Sequence, residues 1–555
     1  MTVAPTLERR VDSLFARHIS ATGPGCAVGV YRNGAVVLTR GYGLANAEEG
    51  RPITPRTTFD LGSASKPFTA LAVLSLERRG VLSLDDDVRR WVPEMPEYGA
   101  PIRVRDLLQH TSGLRDFQAL VPLAGRPVHT MPEFLELLTA QQALNFATGT
   151  QHEYSHSDFL LLGLVVERAV GIPFGAYLER EILAPLGMRG SFVDDGSGRV
   201  TKDRAFGHER SPAGARVVFP SGRTMGGENL HASVEDLARF DRNFEESIIG
   251  GPAVIAQMLS RPQLASGDTI PYAYGLRLGT YRGLRTISRI GHASPMLVVF
   301  MRFPDQRFSV ATLCNADYLN APGFAEAVAE LYLGDQMRPA APRQAVPGAV
   351  ALSPQQLAPY AGFYRSPDLP WNLLRIDVRN GALNEVLFHP VRDDTVLAMT
   401  PAGDGRFFEV GLTGNVGIFT FRPAAPGAPR RLDISWNGAP AESLERLADS
   451  AVWRPSAAAL AEYEGMWFSQ ELEAMWRLER RGEQLVLRRY GQPDVSVWPV
   501  ERDQFLRGFG AWSSPLNVHL QFQRDNAGQL THLTISTPPG EESVRGLRFV
   551  RVVRQ

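Results

Sequence analysis

Residues 336–352, QMRPAAPRQAVPGAVAL, are rich in proline and alanine and follow neither a helical nor a strand period. Proline cannot donate to a helix or sheet ladder, so a run like this reads as a connector and places a domain boundary in the chain. The pattern differs on its two sides. Upstream, CAVGVYRNG and AVVLTRGYGLA are apolar runs separated by Asn33-Gly34, a dipeptide that favours a tight hairpin. A mostly helical pattern covers residues 70–245, with breaks at Gly113, Gly149 and Gly187. Then YAYGLRLGTY, RTISRIGHA, MLVVFMRF and FSVATLCNA read as consecutive strands, and GFAEAVAELYLG closes with a helix. Strands from both ends of this region can share one antiparallel sheet. Downstream of the connector, segments alternate apolar and polar residues with frequent Gly, Asn and Asp turns, as small antiparallel β barrels or sandwiches do. LAPYAGFYRSPDL from Leu357 is echoed by LAEYEGMWFSQEL from Leu460, which predicts two similar β domains. The expected boundaries are 1–335, a linker at 336–352, 353–450 and 456–555.

The chain has 555 residues, with 58 Lys and Arg against 59 Asp and Glu, spread without long runs of one sign. That balance implies neither a nucleic-acid track nor an anionic-membrane patch, and favours a small-molecule or short-peptide substrate. A homodimer is the assembly to test. The two cysteines, Cys26 and Cys314, each lie in an apolar run and are expected to be buried packing thiols in a reducing compartment. The opening MTVAPTLERRVDSLFARH carries charges where an export signal needs an apolar core, and no segment approaches the roughly 18 apolar residues of a span. The expectation is a cytoplasmic protein. The histidines show no metal-ligand spacing and no nucleotide-binding glycine loop is evident, so no metal or cofactor is expected.

In FDLGSASKPFTALAVLSLERRG, Ser63 and Lys66 stand three apart where an apolar helix begins. Taken alone, the serine is as well explained as a helix cap. Three blocks in order change the balance: FDLGSASKPFTALAVLSLERRGVLSLDDDVRRWVPE, IRVRDLLQHTSGLRDF and TGTQHEYSHSDFLLLGLVVERAVG. Together they resemble the serine β-lactamase and penicillin-binding-protein superfamily over residues 10–335. With GLRDFQAL, two trailing β domains and FSQELEA, the chain is similar to the bacterial D-aminopeptidases of that superfamily. The resemblance implies an α+β catalytic domain, an antiparallel sheet flanked by helices with a helical subdomain, followed by two antiparallel β-barrel domains. It makes Ser63 the nucleophile, Lys66 its proton acceptor and Tyr154 a second acid or base near the leaving group. A serine hydroxyl needs such help, because at its free pKa it is a weak nucleophile. Which of Lys66 and Tyr154 takes the first proton stays open.

The family's third block, H-x-G or K-T-G, is placed at IGHASPML, which makes His292 the substrate-facing residue. In that register Ser294 replaces the usual glycine. Pro295, which lacks an N–H, falls where the family lends a backbone donor to the oxyanion hole. Losing one such donor typically costs about 10²- to 10³-fold in turnover. His156 stands where the family's Y-x-N has its substrate-binding asparagine, and neutral imidazole could still donate one hydrogen bond. A family loop that admits only short substrates with a free amine is matched by residues 488–500, where Asp494 is a candidate partner for the substrate ammonium and equally reads as a plain hairpin aspartate. The expected activity is an acyl-enzyme amidase of D-aminopeptidase type. Ester hydrolysis or acyl transfer, and binding of a peptide or cell-wall fragment without turnover, are the alternatives.

Overall fold

The computed structural model describes residues 6–552 apart from 197–198, 200, 212–213, 219–225, 340–349, 368–372, 388–394, 411–415, 424–428, 437–440, 491, 512–513 and 538–542. Most of the expected connector therefore lies outside the described residues. The contacts divide the chain into two units, one of residues 1–114 and 128–339 and one of residues 115–127 and 340–555.

The first unit is built on a seven-stranded antiparallel sheet. Its chain order runs through α1 (Leu7–Ala16), β1 (Cys26–Arg32), β2 (Ala35–Tyr42), α2 (Lys66–Arg78), α3 (His156–Val170) and α4 (Val234–Glu246). It ends with β3 (Tyr272–Ala273), β4 (Leu276–Tyr281), β5 (Leu284–Ala293), β6 (Met296–Phe303), β7 (Phe308–Cys314) and α5 (Ala321–Leu333). In space the strands lie in the order β3-β4-β5-β6-β7-β1-β2, so the first and last strands of the unit pair at β1 and β7. The Asn33-Gly34 dipeptide makes the predicted β1–β2 turn, with both residues at positive φ. Val11 and Phe15 of α1 and Phe324 and Val328 of α5 pack with Val299, Met301 and Val310 in one core. On α2 and α4, Phe68 and Phe240 stack at 4.1 Å, and Phe240 meets Phe300 of β6. The Tyr31 hydroxyl ties β1 to α4 by donating to Val234 O at 2.5 Å.

The cysteines differ from the expectation. β1 and β7 are register partners with Cys26 opposite Cys314, and the two form a disulfide. Spacing along the chain hid the pair, because the strands that bring it together come from opposite ends of the unit. A disulfide is uncommon in a reducing compartment, so the thiols no longer argue for one. Among the described residues no single helix is long and apolar enough to cross a membrane.

The second unit contains two closed eight-stranded antiparallel barrels, running from Gly362–Arg365 to Glu442–Arg446 and from Gly465–Ser469 to Leu547–Val552. In each, the last strand pairs back onto the first. Closure removes the exposed edges that an open sheet would present. The strand Ala474–Arg481 shows the alternation that builds them, with Trp476 and Leu478 buried and Met475 and Arg477 outside. The repeated LAPYAGFY and LAEYEGMW segments form a short helix and the first barrel strand in both cases, with Leu357 and Leu460 buried. The stretch 115–127 was read as part of the catalytic domain, but it packs with the second barrel. Buried Arg115 pairs with Glu471 and donates to Arg545 O, while Trp476 Nε1 donates to Leu123 O at 3.1 Å.

A buried ion cluster fastens α4 to the sheet: Arg302 of β6 donates to Asp241 at 2.6 Å, and Ser309 of β7 donates to the same carboxylate oxygen. Both charged side chains are almost wholly enclosed. Removing one partner strands the other charge away from water. We expect Arg302→Met to lose about 3–5 kcal/mol of unfolding free energy, measured by denaturant titration.

Candidate active site

Ser63 lies in the 3₁₀ turn Gly62–Ser65 that leads into α2, and Lys66 is the first residue of the helix, with Pro67 next to it, where its missing N–H costs nothing. The turn is held by its own neighbours. Gly62 N–H donates to Asp60 Oδ1 at 2.9 Å, and Leu61 N–H donates to Leu230 O. Ser63 is not the cap of this helix, since its hydroxyl is engaged by side chains instead. Ser63 Oγ is 2.7 Å from Tyr154 Oη, and Lys66 Nζ donates to Ser63 Oγ at 3.0 Å and to Gly227 O at 3.1 Å. Lys66 is completely buried. The three residues singled out in the sequence therefore converge on one hydroxyl.

Tyr154 lies two residues before His156, the first residue of α3, and the His156 ring meets the tyrosine edge-on at 5.0 Å. Behind Tyr154 lies the HTSGL loop. His110 Nδ1 is 2.8 Å from Asp158 Oδ2, its Nε2 is 3.0 Å from the Tyr272 hydroxyl, and Ser112 Oγ donates to the other oxygen of Asp158 at 2.5 Å. The Ser155 N–H also approaches Nδ1, at 3.3 Å. Burial and the Lys66 charge push the His110 pKa well below its usual value, so the ring is neutral. Its centroid is 4.6 Å from that of Tyr154. The loop thus braces the site, and Tyr272 belongs to its wall.

The third side is the edge of β5. Pairing with β4 ends at Ser288, so residues 289–293 have no strand neighbour on that edge. The two-residue turns at Arg282-Gly283 and Ser294-Pro295 fix the parity of the ladder and direct the N–H and C=O of His292 outward along it. Gly62 sits there: a Cβ on it would fall 2.7 Å from His292 O and 3.0 Å from His292 N, and its φ of +48° also favours glycine. Gly291 is pressed from the other side, where a Cβ would lie 1.8 Å from Leu61 O. The charged-x-Gly triplet that meets the nucleophile turn is therefore Arg289-Ile290-Gly291, three residues upstream of the placement read from the sequence. His292 contributes its backbone at this contact, while its side chain alternates to the opposite face from Arg289 and Gly291. Ser294 and Pro295 form the turn beyond, and Pro295 packs on Gly207. Neither stands where the alignment put it.

Arg289 was missed. Its Nε–H donates to Ser63 O at 3.0 Å and a terminal N–H donates to Tyr154 Oη at 2.5 Å. The short distance between the two hairpin turns was the signal available in the sequence, because it leaves too few residues for the family motif to begin at His292. In the second unit, Asp494 follows the strand Gln484–Arg489 and is engaged by Arg481 and Arg488 at 2.5 and 3.2 Å, which hold its pKa below the usual carboxylate range. Its partners are those two guanidiniums, and they occupy the carboxylate offered in the sequence as an ammonium receptor. Of the surrounding loop, Gly491 lies outside the described residues. Among the described residues no three His, Cys, Asp or Glu side chains are grouped to hold a metal ion.

Comparison with known proteins follows the same lines. Residues 11–334 match the Beta-lactamase family. The chain belongs to that family. A D-aminopeptidase of Brucella melitensis biotype 2 is 24% identical over 590 aligned residues, which cover 99% of both chains. A D-aminopeptidase of Gluconobacter oxydans is 29% identical over 331 residues, 57% of this chain and 61% of the relative's length. Among solved structures, the octameric penicillin-binding protein homologue from Pyrococcus abyssi superposes with a TM-score of 0.56 at 22% identity, covering 79% of this chain and 99% of that one. That likeness is one of fold.

Asp60, beneath the nucleophile turn, gives the site a pH signature. Burial, only partly offset by the Gly62 N–H bond, raises its pKa to about 7. The unfolded chain releases this proton near pH 4, so between about pH 4 and 7 the unfolded state binds fewer protons than the folded one and stability falls as pH rises. The slope is about 1.4 kcal/mol per pH unit for one such group. Asp60→Asn keeps an acceptor for Gly62 and is expected to flatten the decline in urea midpoint across that window.

Proposed function

We propose that the protein is a serine hydrolase of the S-x-x-K/Tyr type that cleaves small amides through an acyl-enzyme on Ser63, removing N-terminal D-residues from short peptides as a D-aminopeptidase does. The observation that carries this is the position of Ser63 Oγ, 2.7 Å from Tyr154 Oη and 3.0 Å from Lys66 Nζ. A buried proton acceptor next to the hydroxyl supplies what a serine nucleophile lacks. Similarity to D-aminopeptidases over 99% of the chain, both barrels included, supports the finer substrate assignment.

In this reading Ser63 Oγ attacks the scissile carbonyl as its proton passes to the adjacent base. The tetrahedral oxyanion is received by the Ser63 N–H and by the His292 N–H that the β5 edge turns toward the nucleophile. The protonated base then returns its proton to the departing amine. Water repeats the sequence to release the acid. With Pro295 displaced from the oxyanion position, the alternative of binding without turnover keeps only His156 in its favour. Backbone donors of this kind are worth about 10²- to 10³-fold each.

The wild type is expected to hydrolyse D-alanine p-nitroanilide and to gain one fluorophosphonate adduct on Ser63, seen by peptide mass spectrometry. Ser63→Ala should lose both while keeping the wild-type unfolding midpoint. A folded wild-type protein that takes no adduct and leaves the anilide intact would reject the proposal.

A further inference from the structure

Two acidic side chains face the interior of the first barrel in the second unit. Leu383 and Phe407 belong to the barrel core, and residues two apart along a strand share a face. Glu385 therefore lies on the inner face next to Leu383, and Glu409 next to Phe407. Their strands, Ala382–Leu387 and Arg406–Val410, flank the same neighbour, Thr395–Gly403. Glu385 stands opposite Ile376, another core residue, and Glu409 opposite Gly417, which brings no side chain into the space. Glu409 is 2% exposed, and its carboxyl meets that of Glu385 directly. Among the described residues no other donor reaches either of its oxygens.

No basic side chain answers the pair. Thr395–Gly403, and the short helix Pro354–Leu357 that packs on the strand of Glu385, carry no charged residue. Arg375, Asp377 and Arg379 alternate with the inward Ile376 and Val378, and on the outside both arginines pair with Asp377. Arg406 and Arg422 likewise alternate with the inward Phe407 and Phe421, and Arg422 pairs with Asp433. Among the described residues, the one ionisable group acting on each carboxyl is the other.

Two carboxylates in contact repel strongly when they are away from water and lack a counter-charge, whereas one proton between them turns the contact into a charge-assisted hydrogen bond. We propose that Glu385 and Glu409 hold one shared proton and form a pH-sensitive clasp inside the first barrel, closed while the proton stays and forced apart once it leaves. The chemistry at Ser63 plays no part in it. Burial and the Glu409 carboxylate push the Glu385 pKa up to about 8, and burial raises that of Glu409. In the unfolded chain both groups release their protons near pH 4. From about pH 4 to 8 the folded barrel thus keeps a proton that the open chain has lost, and its stability falls as pH rises. Above about pH 8 both states are ionised and the fall levels off.

The test is amide hydrogen exchange of the full chain between about pH 5 and 9, read on peptides from Ala382–Leu387 and Arg406–Val410 and corrected for the intrinsic rate. In the wild type the opening constant of these strands is expected to rise about tenfold per pH unit up to about pH 8 and then to flatten. Glu385→Gln puts an amide N–H where the shared proton was, so it should keep the clasp closed and remove the slope. Glu409→Gln does the same from the other side. Exchange independent of pH in the wild type, or a slope that survives in both variants, would overturn the proposal. So would failure of both variants to fold, because glutamine has the size of glutamate and supplies the donor.

Discussion

The site depends on a backbone-to-backbone contact. The nucleophile turn lies directly against the unpaired edge of β5, with Gly62 on one side and Gly291 on the other, and neither position has room for a side chain. Because β5 is paired with β6 from Ile287 to Ala293, the stretch that meets the turn, the turn inherits the rigidity of the sheet. Helix α2, buried over nearly all its surface, fixes the same turn from its other end. A serine held this way keeps its hydroxyl aimed without the entropy cost of ordering it at each encounter.

Electrostatics then act on a fixed frame. Two basic side chains, Lys66 and Arg289, reach the turn, and each is oriented by a neutral carbonyl acceptor, Gly227 O and Ser63 O respectively. The buried carboxylate of Asp158 is spent on the HTSGL loop, and that of Asp60 on the Gly62 N–H. Both carboxyl groups thus serve architecture, while the space around the reacting hydroxyl is left to basic side chains and phenols.

Much of this was legible from residue order. Two similar β domains followed from the change of period at the Pro/Ala-rich run and from the echo of Leu357 at Leu460, because alternation and turn residues are local signals, while the α+β class and the choice of barrels came with the family resemblance. Ser63, Lys66 and Tyr154 were legible because each sits in a recognisable block. What failed were properties set by pairing over long separations. The Cys26–Cys314 bond needs the first strand to lie beside the last. The role of Arg289 needs the register of β5 against the nucleophile turn, and residue order alone sets that register three residues too far along, at His292, Ser294 and Pro295.

The stretch from Arg115 to Pro127 has a consequence for dissection of the molecule. A truncation at the Pro/Ala-rich run would look natural from composition, yet it would strip Arg115 of the Glu471 carboxylate and Leu123 O of the Trp476 indole. A cut there would divide residues 115–127 from the strands they pack on.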